Sequence, residues 1–276
     1  MENDFHISPS SLKTFCECRL RFHLKYIRRV PIPDAKEVRA LSLGKLVHRA
    51  IALLTQMIHT PGRGVISPDV LPDVVFQAAK DEGIADSEMI RDAITMLRNW
   101  YVYEHLKETP VLVDGETLQY DIAPGVPLIG KPDAIRRSRR LSPSGGTDYV
   151  DTIVDYKTGV SRYYPSDVEN SPQLLIYALL WRQHLQDNPK RRPPDGSMPR
   201  CIIRYEQVTH RTAVQREVNE DDIHQLAEWL RSIAQEMQNG DTTPNPDRHC
   251  RFCEYLPMCA TGVEYMGRQQ PTKPPT

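Results

Sequence analysis

Apolar residues recur at helical spacing through the first third of the chain and give way to alternation in the middle. After Ser8-Pro9-Ser10, a capping signal, Leu12, Phe15, Leu20, Phe22, Leu24 and Ile27 predict a helix over residues 10–28, which Pro31 and Pro33 end. A second helix carries Leu46, Val47, Ala50, Leu53, Leu54 and Met57 on one stripe, with His48 near its start. TPGRGVISPDVLP reads as a loop, and a third helix over residues 86–107 carries Ile90, Ile94, Leu97, Trp100 and Tyr101. Pro110 opens a strand region, VLVDGETLQYDI, closed by a turn at Ala123-Pro124-Gly125. Two segments follow. One runs from Leu128 and Ile129 through Gly130 to Asp133, Ala134 and Ile135; the other leads from Val150, Ile153 and Val154 into Asp155 and Lys157. Their alternation, with Ser-Pro-Ser-Gly-Gly between them, predicts two antiparallel strands. SPQLLIYALLWRQHL is a helix with Pro172 in its first turn, and DNPKRRPPDGSMP is a charged surface loop. CIIRYEQV and TAVQREV form a hairpin, a helix spans 220–238, and the cysteine-rich HCRFCEYLPMC precedes a tail rich in Gln, Pro and Thr.

The expected fold class is α/β, with a mixed central sheet flanked by helices, a helical N-terminal region and a Cys-rich C-terminal segment. One domain is expected over residues 1–262. Its parts are a mainly helical 1–108, a sheet and helix core at 109–218, and a C-terminal helix with the cysteine cluster at 219–262; residues 263–276 read as a flexible tail. No stretch approaches the roughly 18 apolar residues of a membrane span, so no membrane partner is expected. The opening MENDFHISPS lacks the basic and apolar regions of an export signal, which points to a reducing cytoplasm. A net charge of -1 provides no global attraction for a polyanion, so nucleic-acid contact would rest on local basic patches.

Residues two apart on a strand share a face, so Asp155 and Lys157 point the same way, and Asp133 on the neighbouring strand can join them. An isolated Asp-x-Lys usually means a solvated strand end. Here Ile153 and Val154 lead directly into Asp155, where a charge is disfavoured unless it is paired or coordinating. Two carboxylates beside a lysine are what a divalent cation and an anionic substrate require.

These segments resemble the PD-(D/E)xK nuclease superfamily, most closely its RecB-type branch with the AddB-like and CRISPR-associated nucleases. Gly130-Lys131-Pro132-Asp133 matches the glycine-x-x-aspartate motif, and Asp155-Tyr156-Lys157-Thr158-Gly159 the acid-x-lysine motif. Gly44-Lys45-Leu46-Val47-His48 fits the upstream glycine-to-histidine element, and Gln173-Leu174-Leu175-Ile176-Tyr177 the downstream Gln-x-x-x-Tyr element. The resemblance implies a restriction-endonuclease-like core. It also implies that His48, Asp133 and Asp155, with the Tyr156 carbonyl, ligate Mg2+ or Mn2+, and that Lys157 orients the attacking water or offsets charge at phosphorus. Gln173 and Tyr177, four apart on one helical face, either pack that helix on the sheet or contact the DNA backbone or the water. Glu116 reads as an exposed strand charge rather than a site residue.

Cys250, Cys253 and Cys259 give C-x2-C-x5-C, three thiolates able to reach one metal centre with a fourth ligand missing. Ser10, Leu12, Phe15, Cys18 and Phe22 resemble the N-terminal cysteine element of the same branch, which implies that Cys18 completes a 4Fe-4S cluster, with Cys16 the competitor. Structural Zn2+ suits four thiolates equally well, and either metal would tie together chain ends more than 200 residues apart. Cys201, in an apolar strand, reads as a buried thiol.

Arg136, Arg137, Arg139 and Arg140, then Lys190, Arg191 and Arg192, and Arg19, Arg21, Lys25, Arg28 and Arg29 are basic clusters that could steer a DNA backbone. No base-reading motif is present, which favours backbone recognition. The expectation is a metal-dependent DNA nuclease, an exonuclease on single strands or DNA ends in recombination, repair or CRISPR adaptation. The alternative is a DNA-end-binding iron-sulfur adaptor that cleaves little. There is no Gly-x-x-x-x-Gly-Lys-Ser/Thr phosphate loop, so unwinding would need a helicase partner.

Overall fold

A computed structural model describes residues 6–32, 39–60, 67–100, 108–113, 116–142 and 145–268. The chain begins with α1 (Pro9–Glu17), α2 (Arg19–Phe22) and a π turn (His23–Ile27), followed by α3 (Arg39–Ile58), α4 (Leu71–Asp81) and α5 (Ser87–Trp100). The strand region comprises β1 (Thr109–Val113), β2 (Leu118–Ala123), β3 (Val126–Gly130), β4 (Ala134–Leu141) and β5 (Thr147–Lys157). Then come α6 (Pro165–Glu169), α7 (Pro172–Asp187), β6 (Arg200–Gln207), β7 (Thr212–Val218), α8 (Glu220–Gln238) and α9 (Ala260–Arg268).

The chain forms two compact units, one made by Glu37–Gln119 and Gly130–Leu226 and the other by Met1–Lys36, Tyr120–Ile129 and Ala227–Thr276. In the first, five strands lie in the order β1-β4-β5-β6-β7. β5 and β6 are parallel, and the other neighbours are antiparallel. Parallel neighbours need a crossover, and α6 with α7 provides it. One face of the sheet, through Ala134, Val154 and Tyr156, joins a core with the apolar stripes of α3, α4 and α5. α7 is apolar nearly all round, with Leu174, Ile176, Tyr177, Ala178, Leu180 and Trp181 buried, as a helix laid against a sheet must be. Trp181 is 2% exposed, and its indole N–H donates to Asp151 Oδ2 of β5 at 2.8 Å.

In the second unit the described N-terminal and C-terminal segments pack together. Ile7 pairs with β3 through Ile7 N–H to the Pro127 carbonyl (2.8 Å) and Ile129 N–H to the Ile7 carbonyl (2.7 Å). Arg19 pairs with Glu236 at 2.5 Å and Arg21 with Glu254 at 2.7 Å.

The mixed sheet and its flanking helices agree with the sequence expectation, and four local differences have physical causes. The helix expected over 10–28 breaks at Cys18, which is extended (φ -161, ψ 114); the break turns Cys18 inward, to 8% exposure. The segment expected to run as one strand from Leu128 to Ile135 bends at residues 131–133, because Pro132 can neither donate to a ladder nor follow a free φ. β3 therefore pairs with β2 in a separate sheet. α4, which follows the expected loop, buries one helical stripe of Leu71, Val74, Val75, Ala78 and Ala79 that the sequence expectation does not include. α9 occupies the start of the stretch expected as a flexible tail; residues 269–276, like 101–107 of the expected third helix, lie outside the described residues. Among the described residues no helix is long and apolar enough to cross a membrane.

Candidate active site

The antiparallel ladder of β4 and β5 ends at Ala134 opposite Val154. One residue earlier, Asp133 replaces the ladder with its side chain: Oδ2 accepts the Tyr156 N–H at 2.7 Å. Oδ1 lies 3.0 Å from His48 Nδ1, on α3. Burial works against an imidazolium at His48, but the hydrogen bond and charge of Asp133, with the charge of Asp155, outweigh it and raise the pKa. Gly44, one turn before His48, lets α3 approach the end of β5; a Cβ there would stand 3.3 Å from Thr158 Oγ1.

Asp155, 5% exposed, is the other acid. Its Oδ1 accepts from Gln173 Nε2 at 2.7 Å, and its Oδ2 is 2.7 Å from Lys157 Nζ. Burial, and then the charge of Asp133, pushes its pKa up to about 6 in spite of Lys157. Lys157 is also 3.4 Å from Gln173 Oε1. Burial opposes its charge, but the Asp155 carboxylate prevails and the pKa is raised, so Lys157 is a cation at neutral pH. Gln173 thus links the acid and the lysine through the two ends of one amide, and its Nε2 lies 3.2 Å from Tyr177 Oη. Burial holds the Tyr177 hydroxyl well above the ordinary tyrosine range. The glycine of the first motif has a packing role, since a Cβ on Gly130 would come within 2.6 Å of Leu180 Cδ1 and 2.9 Å of Tyr177 Cδ1.

The sequence reading missed the surroundings of Lys157. Its ammonium sits 4.6 Å from the Tyr205 ring centroid and 5.5 Å from that of Tyr163. Tyr205 stands opposite Asp155 in the parallel register of β5 and β6, and its hydroxyl is 2.6 Å from Ser171 Oγ. On the reverse face, Arg136 donates to the Tyr156 hydroxyl, and Trp100 Nε1 donates to Glu206 Oε1 at 2.9 Å. Arg136 is 0% exposed, which removes it from the basic surface expected of it. Arg137 is held by both oxygens of Asp151 at 2.7 Å, Arg140 by Glu108 at 3.4 Å, and Arg191 by Glu116 at 3.0 Å. These pairings weaken the attraction of Arg137, Arg140 and Arg191 for a polyanion, whereas Arg139 and Lys190 stay exposed.

The donor set around His48, Asp133, Asp155 and the Tyr156 carbonyl suits a hard divalent ion. Two acids close enough for one to raise the other's pKa are also what a bound cation would relieve. Among the described residues no three His, Cys, Asp or Glu side chains stand in metal-binding geometry. In the other unit Cys18, Cys250, Cys253 and Cys259 line one cavity together with Leu20, Leu24 and Leu256. The cysteines are free thiols, and the Gly262 N–H donates to Cys259 Sγ at 3.3 Å. Cys16 is exposed; Cys201, expected to be buried, is half-buried, and desolvation pushes its pKa up to about 12.

The sequence of residues 6–260 matches the family described as the PD-(D/E)XK nuclease superfamily. No curated protein matches the chain. Among solved structures, a provisionally named exonuclease from Eubacterium rectale is similar at 12% identity, with a TM-score of 0.50 over 98% of this chain and 90% of its own. The structure of SSO0001 is similar at 16% identity over 88% of this chain and 93% of its own, with a TM-score of 0.31. At 12% identity the likeness to the exonuclease speaks to fold alone.

Proposed function

The chain belongs to the PD-(D/E)XK nuclease superfamily, and from that membership and the site's geometry we propose that it is a Mg2+- or Mn2+-dependent deoxyribonuclease. The observation that carries this reading is the hydrogen-bonded cluster of His48, Asp133, Asp155, Lys157 and Gln173 at the end of β5. A divalent ion held by His48, Asp133, Asp155 and the Tyr156 carbonyl would supply a Lewis acid for the scissile phosphate and an acidified water. The chain's own residues do the rest. Asp133 accepts the Tyr156 N–H, which fixes the Asp155–Tyr156 peptide beside the second acid. Lys157, kept charged by Asp155, donates to the attacking water or to a phosphate oxygen rather than accepting a proton. Gln173 holds Asp155 and Lys157 in register.

The motif order from Gly44 to Tyr177 supports the RecB-type branch, and with it an exonuclease acting on single strands or DNA ends. A 4Fe-4S cluster on Cys18, Cys250, Cys253 and Cys259 belongs to the same reading. The shared cavity and the amide donated to Cys259 support it, and Cys18 rather than Cys16 as the fourth ligand. Zn2+ is the alternative there; anaerobic purification yielding a brown, iron-containing protein supports the cluster, and a colourless protein with stoichiometric zinc overturns it. For the activity, end-labelled single- and double-stranded DNA is incubated with Mg2+ or Mn2+. Release of mononucleotides from single strands by the wild type, lost in Asp155→Ala, is expected; equal activity in that variant refutes the assignment.

A further inference from the structure

The segment after Lys157, Thr158 to Tyr164, runs over the surface beside the site, yet it is fastened like an element of the core. The Val208 N–H donates to the Lys157 carbonyl at 2.9 Å. Thr209 Oγ1 donates to the Thr158 carbonyl at 2.8 Å, and His210 Nε2 to the Val160 carbonyl at 2.9 Å. Gln207, 2% exposed, grips both edges of the Tyr163 backbone: its Oε1 accepts the Tyr163 N–H at 2.7 Å and its Nε2 donates to the Tyr163 carbonyl at 2.9 Å. The segment and the 208–211 turn therefore form one pinned edge.

That edge presents two cations and an aromatic ring beside the site. Tyr163 turns onto Lys157, while its neighbours Arg162 and Tyr164 are exposed, Tyr164 at 60%. Arg211, in the adjoining turn, is also exposed and has φ 54, a left-handed backbone that glycine would adopt without strain. Arginines elsewhere on β6 and β7 are paired, Arg200 with Glu217 and Arg216 with Asp222. Arg162 and Arg211 have no ion-pair partner among the described residues. Two unpaired cations and an open aromatic ring on a pinned edge suit a phosphate backbone and an unstacked base. A duplex conceals its base faces, so a single strand fits better.

We propose that this edge binds the single-stranded nucleic acid, with Arg162 and Arg211 on successive phosphates and Tyr164 stacked on a base, alongside the Lys157 site. The assignment rests on the nuclease reading for its substrate class. It is tested by fluorescence anisotropy of a labelled single-stranded oligonucleotide with the full chain in EDTA, across a salt series, for wild type, Arg162→Ala, Arg211→Gly, Tyr164→Ala and Tyr164→Phe. Each arginine change should weaken binding and lower the slope of log affinity against log salt by about 0.7. Arg211→Gly should do so while Tm holds or rises, which a purely structural role would not produce. Tyr164→Ala should weaken binding roughly tenfold at unchanged slope, and Tyr164→Phe should restore it. Affinities within twofold of wild type with unchanged slopes, or no binding of the single strand by the wild type, overturn the proposal. A wild type that cleaves in Mg2+ while these variants bind normally refutes the edge and keeps the nuclease. A wild type that binds through these residues without cleaving keeps the edge and refutes the nuclease.

Discussion

Gln173 is the residue on which the site's internal geometry turns, because one amide holds Asp155 Oδ1 at 2.7 Å and faces Lys157 Nζ at 3.4 Å. Gln173→Ala frees both, and supporting contacts of this kind are worth about 10- to 100-fold in activity or metal affinity. A loss of that size in kcat on a single-stranded substrate, with Tm nearly unchanged, is the expected outcome. Gly130 is constrained by shape instead. A Cβ 2.6 Å from Leu180 Cδ1 and 2.9 Å from Tyr177 Cδ1 forces those buried side chains to shift, and overpacking of this sort costs about 1–3 kcal/mol. Urea unfolding of Gly130→Ala should show that loss. The acids, the lysine, His48 and Gln173 were legible in the sequence because each belongs to a short motif and the motifs follow one another in order. Tyr205, Ser171 and Gln207 were not. They meet the site only through the parallel register of β5 and β6 and the crossover between them, which no local pattern encodes.

At the scale of elements, periodicity found α3, α5, α7 and α8, whose apolar stripes are long, and missed the breaks. The π turn and the extended Cys18 interrupt a helical pattern that stays continuous in the sequence. Pro132 was visible, yet its effect on pairing, two sheets in place of one strand, depends on β2 being available as a partner for β3. The start of α8 is set by a reciprocal cap: the Asn219 N–H donates to Asp222 Oδ2 at 2.9 Å and the Asp222 N–H to Asn219 Oδ1 at 2.8 Å. Burial disfavours the Asp222 carboxylate, but Arg216 at 2.7 Å and the Asn219 amide outweigh it and lower the pKa. A depressed folded-state pKa gives stability that is present above the ordinary carboxylate value and lost as pH falls through the folded one. Asp222→Asn should therefore cost about 1 kcal/mol at neutral pH and almost nothing in strong acid, checked by urea unfolding at both.

For the whole molecule, the fold class was legible through the motifs that resemble the nuclease superfamily, together with the helical stripes and alternating strands around them. The division into two compact units was not, since the second is assembled from three separated stretches of chain. In that unit the cysteine reading predicts that Cys18→Ser, but not Cys16→Ser, abolishes the chromophore of anaerobically purified protein, checked by absorbance and iron content. In the other unit, the acids that repel one another without a cation predict that Mg2+ raises the Tm of the wild type and not that of Asp155→Ala, checked by thermal unfolding with and without EDTA. In the proposed reaction Asp133, Asp155 and Lys157 hydrolyse phosphodiester bonds with a divalent ion. It is tested by the Mg2+-dependent cleavage rate of end-labelled single-stranded DNA by the wild type and Lys157→Ala. Cleavage that EDTA abolishes and that falls by at least about 100-fold in the variant is expected. A wild type with no activity in Mg2+ or Mn2+, or a variant as fast as the wild type, would contradict it.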